Sequence, residues 1–362
     1  MLHGGRSHVG SESPSVYAPT GVPHVKQMKL AVMLVNKADD VRQPWTTSYI
    51  SQYFNGPAAV GALGRYVAKF FSDASWGKVS LTADVFGWYV LATTYAGDGC
   101  AIQLIQEQGD AAATAAGVSL SAYTHKVYMF PNTNFCNFEG NGPVDGHTVF
   151  MNFPDAGTDI AACQRNSAVD TAHELGHNLG LMHSGDYICT GPGGPTDYVI
   201  YSGTCTENQY LDPFEMMGAS GSYLICNVHR LVLNWIPRSQ MVTITGNGTY
   251  LITPANDAAS RVYRVVDGSG FALYFENRAA GENGYTDMPT GNLLIRRFRE
   301  DLDWRNPVGG LPADTQLLDG SHDGGISNGY KLPVGTSFSW GSITIQSLSW
   351  DGTNHVVQIG GL

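Results

Sequence analysis

The chain has 362 residues, which is long for one domain and predicts two. Only 14% of the residues are charged, and the net charge of −11 comes without a stripe of lysine or arginine, so nucleic acid is not an expected partner. No apolar run approaches the ~20 residues of a membrane helix, which excludes a spanning segment.

The first predicted segment, residues 1–27, is rich in Gly, Ser, Pro and His and reads as a flexible extension. It lacks the apolar stretch of a signal peptide. The sequence therefore favours either a cytosolic protein or one whose signal and any pro-segment have been removed.

Cysteine usage helps to choose between these compartments. The even number of cysteines, the absence of any CxxC pair and their place among loops favour disulfides, and with them a secreted protein. Cys189–Cys205 is the favoured pair, since it closes a long Gly/Pro-rich loop. Six buried free thiols are the alternative. The cysteines lie at positions 100, 136, 163, 189, 205 and 226.

Residues 28–237 show alternating strand and helix patterns, which predict a mixed sheet with helices packed against it. In chain order, the sequence predicts a strand in "MKLAVMLVNK" from Met28, a helix around 61–73, a turn at 75–77, a strand from Lys78, a helix in "AIQLIQEQGDAAATAA", and strands in "HKVYMFP" and "HTVFMN" (147–152).

The pattern changes after Pro237. Short alternating segments follow, separated by Gly, Asn, Asp and Pro, and they include "RVYRVV", "FALYFENR" and "SITIQSLSW". Such segments are typical of an all-β sandwich. We therefore predict a domain boundary near 237–240 and a β-sandwich domain over 238–362.

The segment "HELGHNLGLMHS", residues 173–184, holds three histidines and one acid. Ser167 and Asp170 have the spacing of a capping box, so a helix is expected to begin there with Asp170 as its capping acid. The alternative role for Asp170 is to hydrogen-bond to a side chain that binds a metal ion. His173 and His177 are four residues apart and project from one face of that helix. Gly180 is placed to end it in a left-handed turn.

These residue types suit a catalytic zinc ion, which takes three protein ligands and leaves one position open. His173 and His177 supply two nitrogens, and the turn at Gly180 lets His183 supply the third. Glu174 is then placed as the general base for a zinc-activated water. The alternative is an ordinary amphipathic helix whose histidines form hydrogen bonds in the core. That alternative leaves the spacing of five residues to chance.

The pattern HExxHxxGxxH resembles the zinc motif of the metzincin metallopeptidases. Metzincins also have a methionine-containing turn beneath the metal, and "YLDPFEMMGAS" is similar to it, with Met217 as the turn methionine and Met216 as the fallback. "DPFEMMG", "SWGKVSLTADVFGWY" and "HRLVLNWI" resemble the gametolysin family in particular. The resemblance implies an α+β fold: a metzincin-like domain with a mixed twisted sheet, a zinc helix and a Met-turn, followed by the β-sandwich-like domain.

The resemblance also implies a function, that of a secreted zinc endopeptidase that cleaves extracellular or cell-wall/matrix proteins. A monomer is expected. An extended protein or peptide substrate is expected along an edge strand at 147–152. Zn²⁺ is the expected cofactor. Ca²⁺ is a further candidate at 317–325 or 141–146, although solvated turns explain both stretches better.

A second hypothesis gives the main role to the C-terminal β-domain, as a matrix- or glycan-binding module with an accessory zinc domain. Trp340 and Trp350 are the candidate residues for stacking on sugar rings. Tryptophans in a small sandwich are more often part of the core, so the peptidase hypothesis is preferred.

Overall fold

The computed structural model describes residues 26–56, 66–155, 160–191, 194–195, 204–218, 225–255, 261–268, 270–278, 293–299, 313–320 and 330–362. The predicted extension, 1–27, lies outside these ranges except for its last two residues. The described residues form a mixed α/β protein with several sheets and few helices. Among them, no helix is long and apolar enough to cross a membrane.

The chain divides into two compact units, one of residues 24–180 and one that contains Leu181–Leu362. In chain order, the described elements of the first unit are β1 (Gln27–Lys37), α1 (Thr47–Asn55), α2 (Val67–Ala74), β2 (Ser80–Leu91), α3 (Tyr95–Asp98), α4 (Ile102–Ala115), β3 (His125–Pro131), β4 (Gly140–Asn141), β5 (Thr148–Phe153) and α5 (Ile160–Asn178).

One five-stranded sheet, in the order β2-β1-β3-β5-β4, organises the first unit. β1, β2, β3 and β5 run parallel, and β4 pairs antiparallel with β5. β1 is apolar along most of its length because a parallel strand is buried on both faces. The predicted strands β1, β3 and β5 and the predicted helix α4 are confirmed.

One detail of this sheet differs from the prediction. β5 is not an edge strand, because β4 covers its outer side: Gly140 stands opposite Met151, and the Asn152 N–H donates to the Glu139 carbonyl at 2.9 Å.

The helix expected around 61–73 is α2, whose predicted start falls outside the described residues. The sequence did not reveal α1 and α3.

The second unit contains mostly strands. Its described elements are β6 (His183–Gly191), β7 (Gly194–Pro195), β8 (Thr204–Asn208), α6 (Asn227–Val232), β9 (Met241–Thr243), β10 (Gly248–Ile252), β11 (Val262–Val266), β12 (Phe271–Glu276), β13 (Leu294–Arg299), β14 (Ala313–Leu318), β15 (Ser337–Trp340), β16 (Ile343–Trp350) and β17 (His355–Gly360).

Two sheets of this unit enclose a common hydrophobic core. One has the order β10-β17-β16-β15; the other has the order β7-β6-β14-β13-β12-β11-β9, with β8 paired to β6. Side chains from both sheets, among them Leu273, Ile295, Phe338 and Val357, form a single buried cluster. Burial of this apolar surface is the main force that stabilises the pair of sheets.

The compact units separate after Gly180, whereas the sequence predicts a domain boundary near 237–240. The physical reason is strand pairing: β6, which precedes that boundary, lies parallel to β14, which follows it, with Ser184 opposite Thr315. The boundary near 237–240, as a division between independently folding domains, stays a prediction.

The cysteines are partly paired. Cys100 and Cys136 form a disulfide, and Cys205 is disulfide-bonded and stands directly opposite Cys189 in the β6–β8 register, as the favoured pairing requires. Cys226 is a buried free thiol, so the expectation of six paired cysteines does not hold at this position.

His355 in β17 predicts a pH dependence of stability. It is fully buried, neither ring nitrogen has a hydrogen-bond partner within the described residues, and burial lowers its pKa to about 4. Between pH 6.5 and pH 4, His355 is therefore protonated in the unfolded chain but neutral in the folded chain. The free energy of unfolding falls by up to about 3 kcal/mol as the pH is lowered from 6.5 to 4. In His355→Leu this contribution is expected to vanish, as measured by urea unfolding at pH 7 and pH 4.5. The control is Ser347→Ala, a buried residue of the paired strand β16 that does not titrate, and it should keep the wild-type dependence of stability on pH. A wild-type pH dependence in His355→Leu would contradict the assignment to His355.

Candidate metal centre

Helix α5 carries the first two histidines of the motif. It begins at Ile160, so Ser167 and Asp170 lie inside it and the predicted capping box is wrong. The buried Ala172 and Leu175 fix the inner face of the helix, and the Thr171 hydroxyl lies 2.8 Å from the Tyr53 hydroxyl. This packing leaves His173 and His177 one turn apart on a common face.

The chain turns sharply after the helix. Gly180 has φ of +94°, the left-handed conformation that glycine adopts without a steric penalty, and its N–H donates to the His177 carbonyl at 2.8 Å. The predicted helix-ending turn is confirmed. His183 follows at once as the first residue of β6.

The three predicted ligands come together. The ligand atoms of His173, His177 and His183 lie within 4.8 Å of one another, with His177 and His183 buried and His173 half-buried. Metal-binding side chains gather at one other place in the described part of the chain, the buried group Glu215, Cys226 and His229. Of the two stretches considered for calcium, 141–146 is not among these groups, and residues 321–325 of the other lie outside the described residues, so calcium has no support.

The donor chemistry at the three histidines fits zinc, since neutral imidazoles are common zinc ligands and three of them match the protein share of a catalytic site. Glu174 adds an independent observation. It is buried, and its Oε2 atom has no hydrogen-bond partner within the described residues, which is costly for a carboxylate unless a ligand or water supplies one.

Two neighbouring carboxyl groups have raised pKa values. Burial raises the pKa of Glu174 to about 8, the nearby Asp170 adds to the effect, and a hydrogen bond from the Gly142 N–H opposes it. Burial also raises the pKa of Asp170 to about 8, with a further contribution from Glu139. A divalent cation nearby favours the ionised form of such a group, so Glu174 gives up its proton more readily when metal is present.

Sequence reasoning missed the two glycines that pack against Glu174. A Cβ atom on Gly140 would lie 2.5 Å from Glu174 Cγ, and one on Gly142 would lie 2.6 Å from the Glu174 carbonyl oxygen. The same segment is held to the helix end, because the Asp145 N–H donates to the His177 carbonyl at 2.9 Å. β4 therefore runs close along the metal-facing side of α5. The glycine spacing in "EGNGPVDG" is the signal that could have indicated this approach.

The predicted methionine turn is buried. Met217 is fully buried, and its carbonyl accepts a hydrogen bond from the Ser184 N–H at 2.9 Å, next to His183. Met216 is buried as well. The ring of Tyr210 lies against the ring of His183, with centroids 3.7 Å apart, a contact that the sequence did not suggest.

The two tryptophans considered for sugar binding differ in exposure. Trp340 is buried and its Nε1–H donates to Asp267 at 3.0 Å, so its ring is part of the core. Trp350 is 38% exposed and stacks on His355. The core interpretation therefore holds for Trp340.

Residues 37–189 match a family model described as gametolysin peptidase M11. This segment is gametolysin-like. The resemblance predicted from the sequence is confirmed over these residues, which include the helix α5 and all three histidines. Members of this family are peptidases, which supports the peptidase class predicted from the sequence.

Other comparisons give weaker likenesses. No curated protein matches the chain. A chain in a structure of a chaperone-substrate complex is 17% identical over 48% of this chain, with a TM-score of 0.25, and this chain spans 30% of its length. The crystal structure of wild-type OgpA from Akkermansia muciniphila is 12% identical over 79% of this chain and 93% of its own, with a TM-score of 0.31.

The close approach of Gly140 to Glu174 predicts the effect of a single methyl group. With Glu174 as the general base that the sequence predicts, Gly140→Ala is expected to lower kcat about 10²-fold, because the new Cβ displaces the Glu174 carboxylate or β4, and misplacement by about 1 Å has effects of that size. Zinc content should stay unchanged, since no ligand is touched. The control is Gly246→Ala, whose Cβ would meet only the Tyr250 hydroxyl at 4.0 Å. Full activity in Gly140→Ala would mean that β4 does not constrain the carboxylate.

Proposed function

We propose that the protein is a zinc-dependent endopeptidase of the metzincin type that hydrolyses peptide bonds in proteins. The observation that carries the proposal is the convergence of His173, His177 and His183 beside the buried carboxylate of Glu174. The gametolysin-like match over 37–189 supports the same reaction class. The burial of Met217 is consistent with its predicted role as the turn methionine.

Zinc, when bound by the three histidines, supplies Lewis-acid chemistry: it lowers the pKa of a water to about 7 and polarises the scissile carbonyl. Glu174 takes the proton from the attacking water and then delivers it to the leaving amine. Its buried position excludes bulk water from this transfer. The Gly142 N–H helps to hold the carboxylate in place.

The substrate is proposed to bind as an extended strand along β4 rather than along 147–152. β4 is the outermost strand beside β5, and its residue Gly140 lies against Glu174. An extended peptide that adds to this edge gains backbone hydrogen bonds and brings its carbonyl groups past the base. The missing side chain at Gly140 lets this strand lie directly against Glu174.

Secretion forms part of the proposal. The disulfide Cys100–Cys136 and the disulfide-bonded Cys205 favour an oxidising compartment, because such bonds are rare in reducing ones. Proteins outside the cell, such as matrix or cell-wall proteins, are then the accessible substrates.

The decisive experiment combines metal analysis with cleavage of denatured casein or gelatin. About one zinc per chain, with cleavage that 1,10-phenanthroline abolishes and added zinc restores, is the expected result. The isomer 1,7-phenanthroline, which cannot chelate, serves as the matched control and should leave cleavage intact. A chain without zinc, or cleavage that is insensitive to the chelator, would refute the proposal.

A further inference from the structure

Ser184, the neighbour of His183, is held by a dense set of contacts. Its N–H donates to the Met217 carbonyl at 2.9 Å, and its Oγ–H donates to Asp212 Oδ2 at 2.8 Å. The same Oγ lies 2.6 Å from Thr315 Oγ1, and Ser184 stands opposite Thr315 in the β6–β14 pairing. Together these contacts fix the backbone from which the His183 imidazole projects.

Asp212 is in turn held by a buried arginine. Arg296 in β13 is fully buried, and its Nη1 lies 2.8 Å from Asp212 Oδ2 while its Nη2 donates to Oδ1 at 3.3 Å. The arginine Nε forms a second ion pair, 2.9 Å from Glu276 Oε2. Burial alone lowers the pKa of Arg296, but the two carboxylates raise it, so the guanidinium stays charged. A planar guanidinium suits this two-point contact better than an ammonium group does.

Glu215 closes the other side of the methionine turn. Its carboxylate accepts hydrogen bonds from the N–H groups of Met217 and Cys226 and from His229 Nδ1 at 3.0 Å. Glu215, Cys226 and His229 are donor types that bind metals, but the two carboxylate oxygens are already engaged in these hydrogen bonds. Hydrogen bonding rather than a second metal therefore explains this group.

We propose that Arg296 is a positioning residue for the metal ligand His183 and acts through Asp212 and Ser184. The inference rests on the proposed function, because it assumes that His183 binds zinc. It assigns a role at the metal centre to a residue of the strand-rich region that the sequence predicts as a separate domain. Groups that orient metal ligands typically change metal affinity 10–100-fold when they are altered.

The test compares two buried arginines in the full-length protein. Arg278 also pairs with Glu276, through Nε and Oε1 at 2.9 Å, whereas Arg296 in addition pairs with Asp212. Arg296→Lys is expected to weaken zinc binding 10–100-fold, measured by competition with a chromophoric chelator, and to change the visible absorption of the cobalt(II)-substituted protein. Arg278→Lys should leave both readouts at wild-type values. Urea unfolding of the metal-free proteins measures the purely structural effect of each variant.

Ser184→Ala is a second and milder variant, because it removes only the Oγ contacts to Asp212 and Thr315. It should still weaken zinc binding. Wild-type affinity and spectrum in folded Arg296→Lys or in Ser184→Ala would overturn the proposal. Equal losses in Arg296→Lys and Arg278→Lys would also overturn it. Two zinc ions per wild-type chain would refute the hydrogen-bonded interpretation of Glu215.

Casein cleavage by the same wild-type sample separates the two proposals. A protein that binds one zinc but cleaves no protein would refute the peptidase function and leave the positioning role of Arg296 intact. The reverse pattern, cleavage with unchanged zinc affinity in Arg296→Lys, would refute only the positioning role.

Discussion

Replacement of Glu174 by glutamine is expected to lower kcat for protein cleavage by about 10²–10⁴-fold while one zinc stays bound per chain. The amide has nearly the shape of the carboxylate, and its carbonyl can still accept from the Gly142 N–H. It cannot take a proton from water, however, and this step is the proposed role of Glu174. Zinc should remain because the three histidines, and not the carboxylate, hold it.

Initial rates on a fluorogenic peptide, together with metal analysis of the same samples, measure this effect. Glu107→Gln provides the matched control, since Glu107 is an exposed residue of α4 in the same unit and should be catalytically silent. A Glu174→Gln enzyme with wild-type turnover would rule out Glu174 as the base. Loss of zinc from the variant would instead make Glu174 a ligand and require a different mechanism.

The site residues on and just after α5 could be predicted because they are local in the chain. A helix fixes the relation of His173 to His177 through its own geometry, and a glycine at the left-handed position fixes the turn that follows. Neither depends on the rest of the fold. The same local logic failed at the helix start, where a spacing typical of a capping box lies inside a helix that begins at Ile160. Packing, rather than capping, decides how far such a helix extends.

The contacts that surround the base could not be predicted because they join distant segments. The approach of Gly140 to Glu174 depends on the chain returning antiparallel along β5, and a two-residue strand leaves almost no pattern in the sequence. In the same way, neither the apolar pattern of "HTVFMN" nor its length tells a buried strand from an edge strand. Only the sheet order distinguishes the two.

The change of pattern after Pro237 is real, since the described elements beyond it are strands apart from a short 3-10 turn at Arg238–Gln240. Composition does not reveal, however, that a strand on one side of this point pairs with a strand on the other. β6 finds its parallel partner in β14, and Asp212 finds its ion-pair partner in Arg296. A boundary inferred from pattern therefore need not separate two cores.

These two contacts predict that a chain ending at residue 237 will lose zinc binding. Such a chain lacks β14 and Arg296, so β6 has no partner on that side and Asp212 becomes a buried carboxylate without its counter-charge, a change that typically costs 3–5 kcal/mol. His183, at the start of β6, is then no longer held in place. We expect less than one-tenth of the wild-type zinc after dialysis, together with a lower unfolding midpoint. Co-expression of residues 238–362 as a separate fragment should restore zinc binding if the strand pairing is the cause. A truncated chain that folds and keeps one zinc would show that the boundary near 237–240 divides two independent domains and that the metal centre needs nothing beyond it.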